Sequence, residues 1–416
     1  MTPHTFPLRP LALYGPDFAA DPQGHYRLLR EHGPLAPVRI APGIEAMLVT
    51  DYQAAVDLLR DPDTFTKDPR AWQATVPADS PVLPVLGYRP TALFSDGGTH
   101  ARYRGAINDG LALIEPHILR AQVAQVAQQL IREFAATGTG DLIGQYARRL
   151  PLHVFNTWFG VPPEDSDRLV AGIAGMMDSV EGAPTAYADL VSVVTALVAD
   201  RRAHPRDDLT SYFLAHPAAL GNDETVYQIS LTTIAGHEPT TNLIGNALLR
   251  MLTDSRYAGS VHGGAMTARE AIDEVLWQDP PLANLSAHYP RHDTELHGVP
   301  LRAGQLVLVS YAAANTQSGS APTDPGVRSG AGAHLAWAAG PHRCPAQQPA
   351  LLIAITAIEQ LTSHLCDARL AVDPDDLLWR PGPFHRALVH LPVAFTPLDP
   401  DLTIDVENAD RAPHPD

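Results

Sequence analysis

The sequence predicts a single, mainly α-helical domain with small β-sheets. Residues 115–220 are alanine-rich and place apolar residues at the spacing of amphipathic helices. Residues 223–251 form the longest helical pattern, and two short strand patterns, 37–40 and 46–49, predict a hairpin near the start. A chain of 416 residues that is 45% hydrophobic can bury a large core, and no linker divides it.

The elements follow in order along the chain. After the hairpin, residues 52–60 are amphipathic, and Asp51 is a suitable N-terminal cap for that helix. Glycine and proline clusters then separate four predicted helices, at 121–136, 142–159, 166–180 and 185–204. Pro239 lies inside the longest pattern. Because proline has no N–H and clashes with the carbonyl four residues back, the hydrogen-bond ladder should open at Ala235.

Charge and composition exclude several classes of function. The net charge of −17 argues against a nucleic-acid partner, since phosphates require a basic surface. The chain has two cysteines, Cys344 and Cys366, and nothing suggests a disulfide framework, which favours a reducing compartment. Residues 1–14 contain three prolines and no long apolar run, so they predict neither a signal peptide nor a membrane anchor. We therefore expect a soluble, cytoplasmic protein.

Cys344 lies in a loop rich in glycine and proline, just before the apolar run 350–361. Main-chain N–H groups and a helix N-terminus lower the pKa of a cysteine, and a thiolate is both a nucleophile and a metal ligand. Pro345 has no N–H, so the amides must come from residues 346–348, and the regular helix should begin only at Pro349. The residue could be a hydrolase nucleophile, a haem ligand or an ordinary buried cysteine.

Trp337, His342 and Cys344 have the spacing of a known loop. Their pattern resembles the haem-binding loop of the cytochrome P450 family, usually Phe-Gly-x-Gly-x-His-x-Cys-x-Gly. Trp337 replaces the Phe, Ala338 the first Gly, and Ala346 the Gly after the cysteine. The resemblance implies that Cys344 is the metal ligand, the proximal thiolate of haem b, with Trp337 and His342 among the cofactor-binding residues.

The resemblance continues in the correct order along most of the chain. It implies the cytochrome P450 fold, with an N-terminal extension at 1–14, a single haem-containing domain at 15–396 and a disordered tail at 397–416.

The middle of the longest helix, from Ala235 to Thr241, resembles the family's oxygen-binding segment Ala-Gly-x-(Asp/Glu)-Thr-Thr. This implies an oxygen groove at Ala235 and Gly236, where glycine lets a ligand approach the backbone. Glu238 matches the acid that supplies protons. Pro239 occupies the place of the proton-delivering threonine, so Thr240 or Thr241 would serve instead.

Two further segments resemble the sites that hold the haem propionates. His100 and Arg104 are four residues apart and share a helix face, as in the family's His-x-x-x-Arg helix. A solvated charged face is the alternative for such a pair. His288 falls where an arginine normally binds the other propionate, and Arg291 is a second candidate there.

Glu274 and Trp277 match the family's Glu-x-x-Arg motif with tryptophan in place of arginine, as in some actinobacterial members. An indole offers only one neutral N–H and cannot replace a guanidinium. Three possibilities follow: Arg328 reaches Glu274, Glu274 is solvated, or Glu274 accepts a hydrogen bond from Trp277. We expect that haem binding does not require arginine at position 277.

The resemblance implies a monooxygenase that inserts one oxygen atom of O2 into a small organic substrate, by hydroxylation or epoxidation, in secondary metabolism. Electrons would come from ferredoxin and ferredoxin reductase, and Arg102 and Arg343 are candidates for docking that acidic partner. Surface solubility is an equal alternative for these two arginines. Two other functions stay open: a haem-binding partner or sensor with little activity, and a peroxide-driven oxidase. Peroxide-using members also have proline after the acid position, but there that position is Arg.

Overall fold

The computed structural model describes residues 10–178, 181–254, 267–317 and 333–398. The predicted tail is therefore described only at residues 397 and 398, and Arg328 lies outside the described residues. The predicted N-terminal extension is described only from residue 10.

Fifteen α-helices are described within these ranges: α1 (Pro16–Ala20), α2 (Pro22–Arg30), α3 (Tyr52–Arg60), α4 (Arg70–Gln73), α5 (Leu83–Leu86), α6 (Gly97–Ala112), α7 (Pro116–Phe134), α8 (Arg149–Phe159), α9 (Ser166–Asp178), α10 (Ala183–Ala203), α11 (Leu209–Ala215), α12 (Asn222–Thr253), α13 (Ala268–Gln278), α14 (Tyr311–Asn315) and α15 (Gln347–His364). The strands are β1 (Leu11–Ala12), β2 (Leu35–Ala41), β3 (Ile44–Val49), β4 (Phe65–Thr66), β5 (Thr139–Asp141), β6 (Ser286–Pro290), β7 (Thr294–Leu296), β8 (Val299–Leu301), β9 (Val307–Val309), β10 (Arg369–Leu370) and β11 (Pro392–Ala394).

The strands form three small sheets. Six strands pair in the order β1-β2-β3-β9-β6-β4, three in the order β10-β11-β5, and β7 pairs with β8. The predicted hairpin is confirmed, because β2 and β3 are antiparallel with Val38 opposite Ala46. Strand β4 pairs with β6, where Thr66 lies opposite Tyr289. This pairing places the residues that follow β4 beside β6.

The predicted helices exist, with shifted boundaries. Asp51 caps α3 as expected, since its carboxylate accepts a hydrogen bond from the N–H of Ala54 at 2.8 Å. The predicted helix 142–159 is divided: Leu142–Ala147 is π-helical, with the N–H of Arg148 bonded to the carbonyl of Ile143, and α8 follows. The longest pattern becomes one helix, α12, with Pro239 in its interior.

The core lies around α12. Its C-terminal half packs with α7, α8, α13 and α15 in one apolar cluster that includes Ile244, Ile272 and Ile358. A second cluster joins the large sheet to α9 and α10. The predicted fold class, mainly helical with small sheets in a single domain, is confirmed. No helix in the described ranges is both long and apolar enough to cross a membrane.

Candidate active site

One cavity of about 280 Å³ brings the sequence motifs together. The predicted site residues that line it are Arg104, Ala235, Gly236, Thr240, Trp337, His342 and Cys344. Those that do not line it are His100, Glu238, Thr241 and His288. Most of the other wall residues are apolar, among them Leu86, Phe155, Trp158, Leu231 and Leu243. The cysteine loop and the middle of α12, distant in sequence, thus meet at one site.

The cysteine loop is built from two short 3-10 turns, Leu335–Trp337 and Gly340–His342. The N–H of Cys344 donates to the carbonyl of Trp337 at 2.9 Å, which closes the loop on itself. Gly340 has a φ of +68°, and a Cβ there would lie 2.1 Å from the carbonyl oxygen of Leu59. Only glycine fits this position, so α3 fixes where the loop turns.

Ala338 has a φ of +58° and a ψ of −172°. This backbone region is essentially restricted to glycine, and a side chain there stores strain of about 1–3 kcal/mol. The family loop has glycine at the position that Ala338 occupies. The backbone at Ala338 is therefore glycine-like, at a position where the resemblance implies glycine.

Burial raises the pKa of the Cys344 thiol, whereas the N–H of Ala346 and the charges of Arg104 and Arg343 act in the opposite direction. The expectation that the loop lowers this pKa is wrong for the chain by itself, because desolvation of the thiolate outweighs these contacts. The amide of Ala346 does reach the sulfur, as expected.

Helix α15 begins at Gln347, not at Pro349 as predicted. A proline is tolerated in the first helical turn because its missing N–H would have no partner there.

The middle of α12 contributes Ala235, Gly236, Pro239 and Thr240 to the cavity wall. Pro239 removes the N–H that would bond the carbonyl of Ala235. A Cβ on Gly236 would lie 2.3 Å from the ring of Phe155, which also lines the cavity. The ring of Phe155 therefore leaves little room for a side chain at position 236, and Gly236 itself lines the cavity, where the sequence placed the oxygen groove.

Glu238 is buried and forms an ion pair with Arg380, whose Nη1 lies 2.5 Å from Oε1. The same guanidinium pairs with Asp178 at 2.7 Å, and Asn242 donates to Glu238 at 3.3 Å. Burial alone would raise the pKa of Glu238. The charge of Arg380, smaller effects of His385 and His237, and the hydrogen bond from Arg380 together outweigh burial and hold the pKa at about 2. The carboxylate is ionised at neutral pH.

The two threonines differ in placement. Thr240 lines the cavity, so its hydroxyl has access to a bound molecule or to water there. Thr241 does not line the cavity, and its Oγ1 is buried without a hydrogen-bond partner among the described residues. This geometry favours Thr240 as the alcohol of the site.

The polar end of the cavity contains more cationic residues than the sequence predicted. Helix α6 places His100 and Arg104 on one face, and the ring of His100 lies 4.2 Å from that of His342. Arg104 lines the cavity and donates a hydrogen bond to the carbonyl of Arg343. Lys67, which sequence analysis did not single out, lines the same cavity and is 2% exposed.

His288 is placed differently from its prediction. It lies in β6, buried and away from the cavity wall, with Nδ1 3.1 Å from the carbonyl oxygen of Ser286. Every residue of β6 is buried, and the ring of His288 contacts a main-chain carbonyl of its own strand. Arg291, the second candidate, pairs with Asp96 at 3.2 Å.

Glu274 is buried, so the possibility that it is solvated is wrong. Arg250 of α12 lies 3.8 Å from its carboxylate and also donates to Gln278 at 2.6 Å. Trp277 is 1% exposed, and its indole N–H has no hydrogen-bond partner among the described residues, so it does not donate to Glu274. Instead its ring packs edge-on against His334. Arg250 of α12 therefore lies beside the carboxylate of Glu274, which the resemblance would pair with an arginine at position 277.

The two arginines proposed for docking are in different surroundings. Arg102 donates to Glu224 and to the carbonyl of Ala218, so its charge is already paired. Arg343 is exposed and bonds Gln347 at 2.8 Å. Of the two, only Arg343 presents its charge beside the cysteine loop.

These features define a class of protein, one in which a cysteine loop before a C-terminal helix and a proline-interrupted central helix share an apolar cavity. No family model matches the chain. The chain is 30% identical over 392 residues to cytochrome P450 107B1 of Saccharopolyspora erythraea, covering 90% of this chain and 95% of that protein. It is 29% identical over 398 residues to the cytochrome P450 monooxygenase PikC of Streptomyces venezuelae, covering 93% and 94%.

The solved structure of CYP154C4 from Streptomyces sp. W2061 superposes with a TM-score of 0.85 at 27% identity, covering 93% of this chain and 98% of that one. The chain belongs to the cytochrome P450 family and is a monooxygenase. The family implies a haem held by a cysteine thiolate, electrons from a redox partner and a small-molecule substrate.

The residues at the cavity fit such a haem. Cys344 brings a thiol to the wall, and the neighbouring indole N–H of Trp337 is buried without a partner among the described residues. Arg104 and His342 bring donors to the same cavity, where carboxylates of a ligand could accept them. Apolar side chains supply most of the remaining wall, which suits the porphyrin ring.

Sequence analysis missed three residues of the site. Arg380 and Arg250 follow no local motif, because each reaches its carboxylate from a different element of the fold. The sequence did contain a signal for Lys67. It is the only lysine of the chain, which otherwise uses arginine for its permanently charged basic side chains.

Ala338→Gly should raise the free energy of unfolding by about 1 kcal/mol, because release of the strain exceeds the extra entropy of the unfolded chain. Chemical denaturation of the purified protein measures this change. Ala339→Gly is the matched control, since Ala339 has an ordinary extended backbone with a φ of −140°. The control should lower stability by about 0.5–1 kcal/mol. Equal effects at both positions would contradict the strained conformation.

Arg380→Met should destabilise the protein by about 3–5 kcal/mol near neutral pH, because it leaves a buried carboxylate without its cation. In the wild type, the depressed pKa of Glu238 contributes stability that is present above its ordinary value near 4.5 and lost as the pH falls to about 2. In the variant, Glu238 should gain a proton more readily, so the destabilisation should be smaller at about pH 5 than at about pH 8.

Urea unfolding at both pH values tests this, with Arg380→Met/Glu238→Gln as the control. The double variant should recover part of the lost stability near neutral pH. A loss that is independent of pH and equal in both variants would show that Arg380 acts by packing alone.

Proposed function

We propose that this chain is a haem b-dependent monooxygenase that hydroxylates or epoxidises a small, apolar organic molecule in secondary metabolism. Electrons come from ferredoxin and ferredoxin reductase. The observation that carries the proposal is that Cys344 and the segment Ala235–Thr240 line one cavity. Bound through a thiolate, haem supplies the activation of O2 that delivers one oxygen atom to a substrate and the other to water.

Several residues of the chain hold the cofactor in this proposal. Cys344 is the metal ligand, and the N–H of Ala346 donates to its sulfur. Arg104 and His342 bind propionate carboxylates at the polar end of the cavity, and His100 supports His342 through ring contact. Trp337 packs beside the cysteine with its N–H free to donate. Ala235 and Gly236 form the part of the cavity wall where Pro239 interrupts the main-chain hydrogen bonds of α12.

The remaining polar groups control protons. Thr240 presents a hydroxyl to the cavity, where it can hold a water molecule and pass a proton. Glu238 is the acid behind it, and Thr241 is a second alcohol. Because Arg380 keeps Glu238 ionised, this carboxylate can relay a proton only after accepting one, as the ion pair loosens.

The walls limit the substrate. Apart from the polar end formed by Lys67, Arg104 and His342, the cavity is lined by apolar side chains with few hydroxyls. A charged substrate would lose its hydration without gaining a partner there, so the geometry favours a neutral, largely apolar molecule.

A second function is favoured by one observation. Glu238 lies outside the cavity in a buried ion pair, which suits a haem-binding protein with little monooxygenase activity that acts as a partner or sensor. Peroxide-driven oxidation is the other alternative, suggested by Pro239 after the acid.

The first test is the CO difference spectrum of the reduced protein. We expect the band of thiolate-ligated haem in the wild type and its loss in Cys344→Ser. Cys366→Ser is the control, because Cys366 is exposed and should leave the spectrum unchanged. A thiolate band that survives Cys344→Ser would contradict the assignment of the ligand.

Turnover then separates the functions. We expect product from a panel of apolar compounds with ferredoxin, ferredoxin reductase and NAD(P)H. Turnover with peroxide alone would support the peroxide-driven oxidase. A correct CO spectrum with neither turnover nor a substrate-binding shift would support the haem-binding partner or sensor.

A further inference from the structure

We infer that Lys67, and not His288, binds a carboxylate of the haem at the polar end of the cavity. This inference rests on the proposed haem function and adds a cofactor-binding residue to it.

Lys67 is the only lysine among 416 residues, and it is buried at the ligand cavity. It follows β4, which pairs with β6, so its side chain reaches the backbone of β6. Its Nζ donates to the carbonyl of Ala287 at 2.6 Å and to Oγ of Ser286 at 3.3 Å. An ammonium group has three N–H donors, so one remains for a ligand.

No carboxylate among the described residues forms an ion pair with Lys67 Nζ. Asp96 is nearby, but its oxygens accept from the hydroxyl of Thr66 at 2.5 Å and from the main-chain N–H of Lys67 at 3.1 Å. The guanidinium of Arg291 pairs with it at 3.2 Å. Because a buried charge is costly unless it is paired, an anion would stabilise the ammonium form of Lys67, and no described side chain supplies one in an ion pair.

The surroundings agree with a site for an anion. Arg104 and His342 line the same cavity, so donors and positive charge collect at one end of an otherwise apolar space. Burial lowers the pKa of Lys67 to about 7, and Asp96 compensates only in part. An entering carboxylate would restore the preference for the ammonium form and accept its third N–H.

His288 is less suited to this role as it is placed. It is buried away from the cavity wall, and its Nδ1 faces the carbonyl of Ser286. Burial, and then the charge of Lys67, lower the pKa of His288 well below 6.5, so the ring is neutral. Position 288, where the resemblance places an arginine, therefore offers no cation. The cation is Lys67, which directly follows the neighbouring strand β4.

The test compares haem with haem dimethyl ester, whose propionates carry no charge. Transfer of each compound from the full-length protein to apomyoglobin gives its rate of loss. Lys67→Met should increase the loss of haem about tenfold or more, because one charge-assisted hydrogen bond is removed, and the loss of the ester less than about twofold. His288→Gln, the matched control, should change both rates by the same small factor.

Equal acceleration of both compounds by Lys67→Met would overturn the inference, since it would mean that the lysine acts by packing. A selective effect on haem in His288→Gln would overturn it in favour of the histidine. The CO difference spectrum of the wild type tests the proposed function separately. If the wild type shows the thiolate band but Lys67→Met has no selective effect on haem loss, only the inference about Lys67 is overturned.

A second measurement uses the wild type and does not depend on the folding of a variant. Selective 15N labelling of lysine gives a single side-chain signal, because the chain contains one lysine. We expect its Nζ resonance to differ between the proteins loaded with haem and with the ester. The same position of the signal in both forms would contradict contact with the propionate.

Discussion

The loop that presents Cys344 depends on one close contact, between Gly340 and the carbonyl oxygen of Leu59 at the end of α3. This contact leaves no room for a side chain, so the turn at Gly340 is set by a helix far away in the sequence. The bond from the N–H of Cys344 to the carbonyl of Trp337 then closes the loop, and α15 starts three residues after the cysteine. The position of the sulfur relative to α12 follows from these constraints.

Much of the fold could be predicted from local patterns. The hairpin β2–β3, the helix α3 with its cap at Asp51 and the long helix α12 all follow from periodicity and capping, which are properties of neighbouring residues. Boundaries were less accurate where tertiary contacts, and not neighbouring residues, set them. The π-helical segment before α8 and the start of α15 at Gln347 depend on hydrogen bonds and packing that no local pattern specifies.

The site was predictable where a motif carries it, as for Cys344, His342 and the segment from Ala235 to Thr240. It was not predictable where the partner comes from elsewhere. Arg380 reaches Glu238 from 142 positions along the chain, and Arg250 faces Glu274 from the preceding helix. These pairs depend on tertiary placement. A buried carboxylate requires a cation, but the position of the carboxylate in the sequence does not identify the residue that supplies it.

The departures from the family pattern are compensated in different ways. Ala338 has a glycine-like backbone at the expense of strain. Trp277, which the resemblance matches to an arginine, is a buried apolar side chain, and Arg250 of α12 lies beside Glu274 instead. Charge and shape, which one arginine would supply together, are here provided by separate residues.

Because the only lysine is enclosed at the cavity, the folded surface carries its positive charge on arginine and histidine alone among the side chains. Guanidinium groups keep their charge at any pH that the protein would meet. They also do not undergo the acylation and ubiquitin attachment that act on primary amines. Apart from the α-amino group, the chain therefore presents no amine on its folded surface, and a reagent that modifies lysine would have to enter the cavity to reach one.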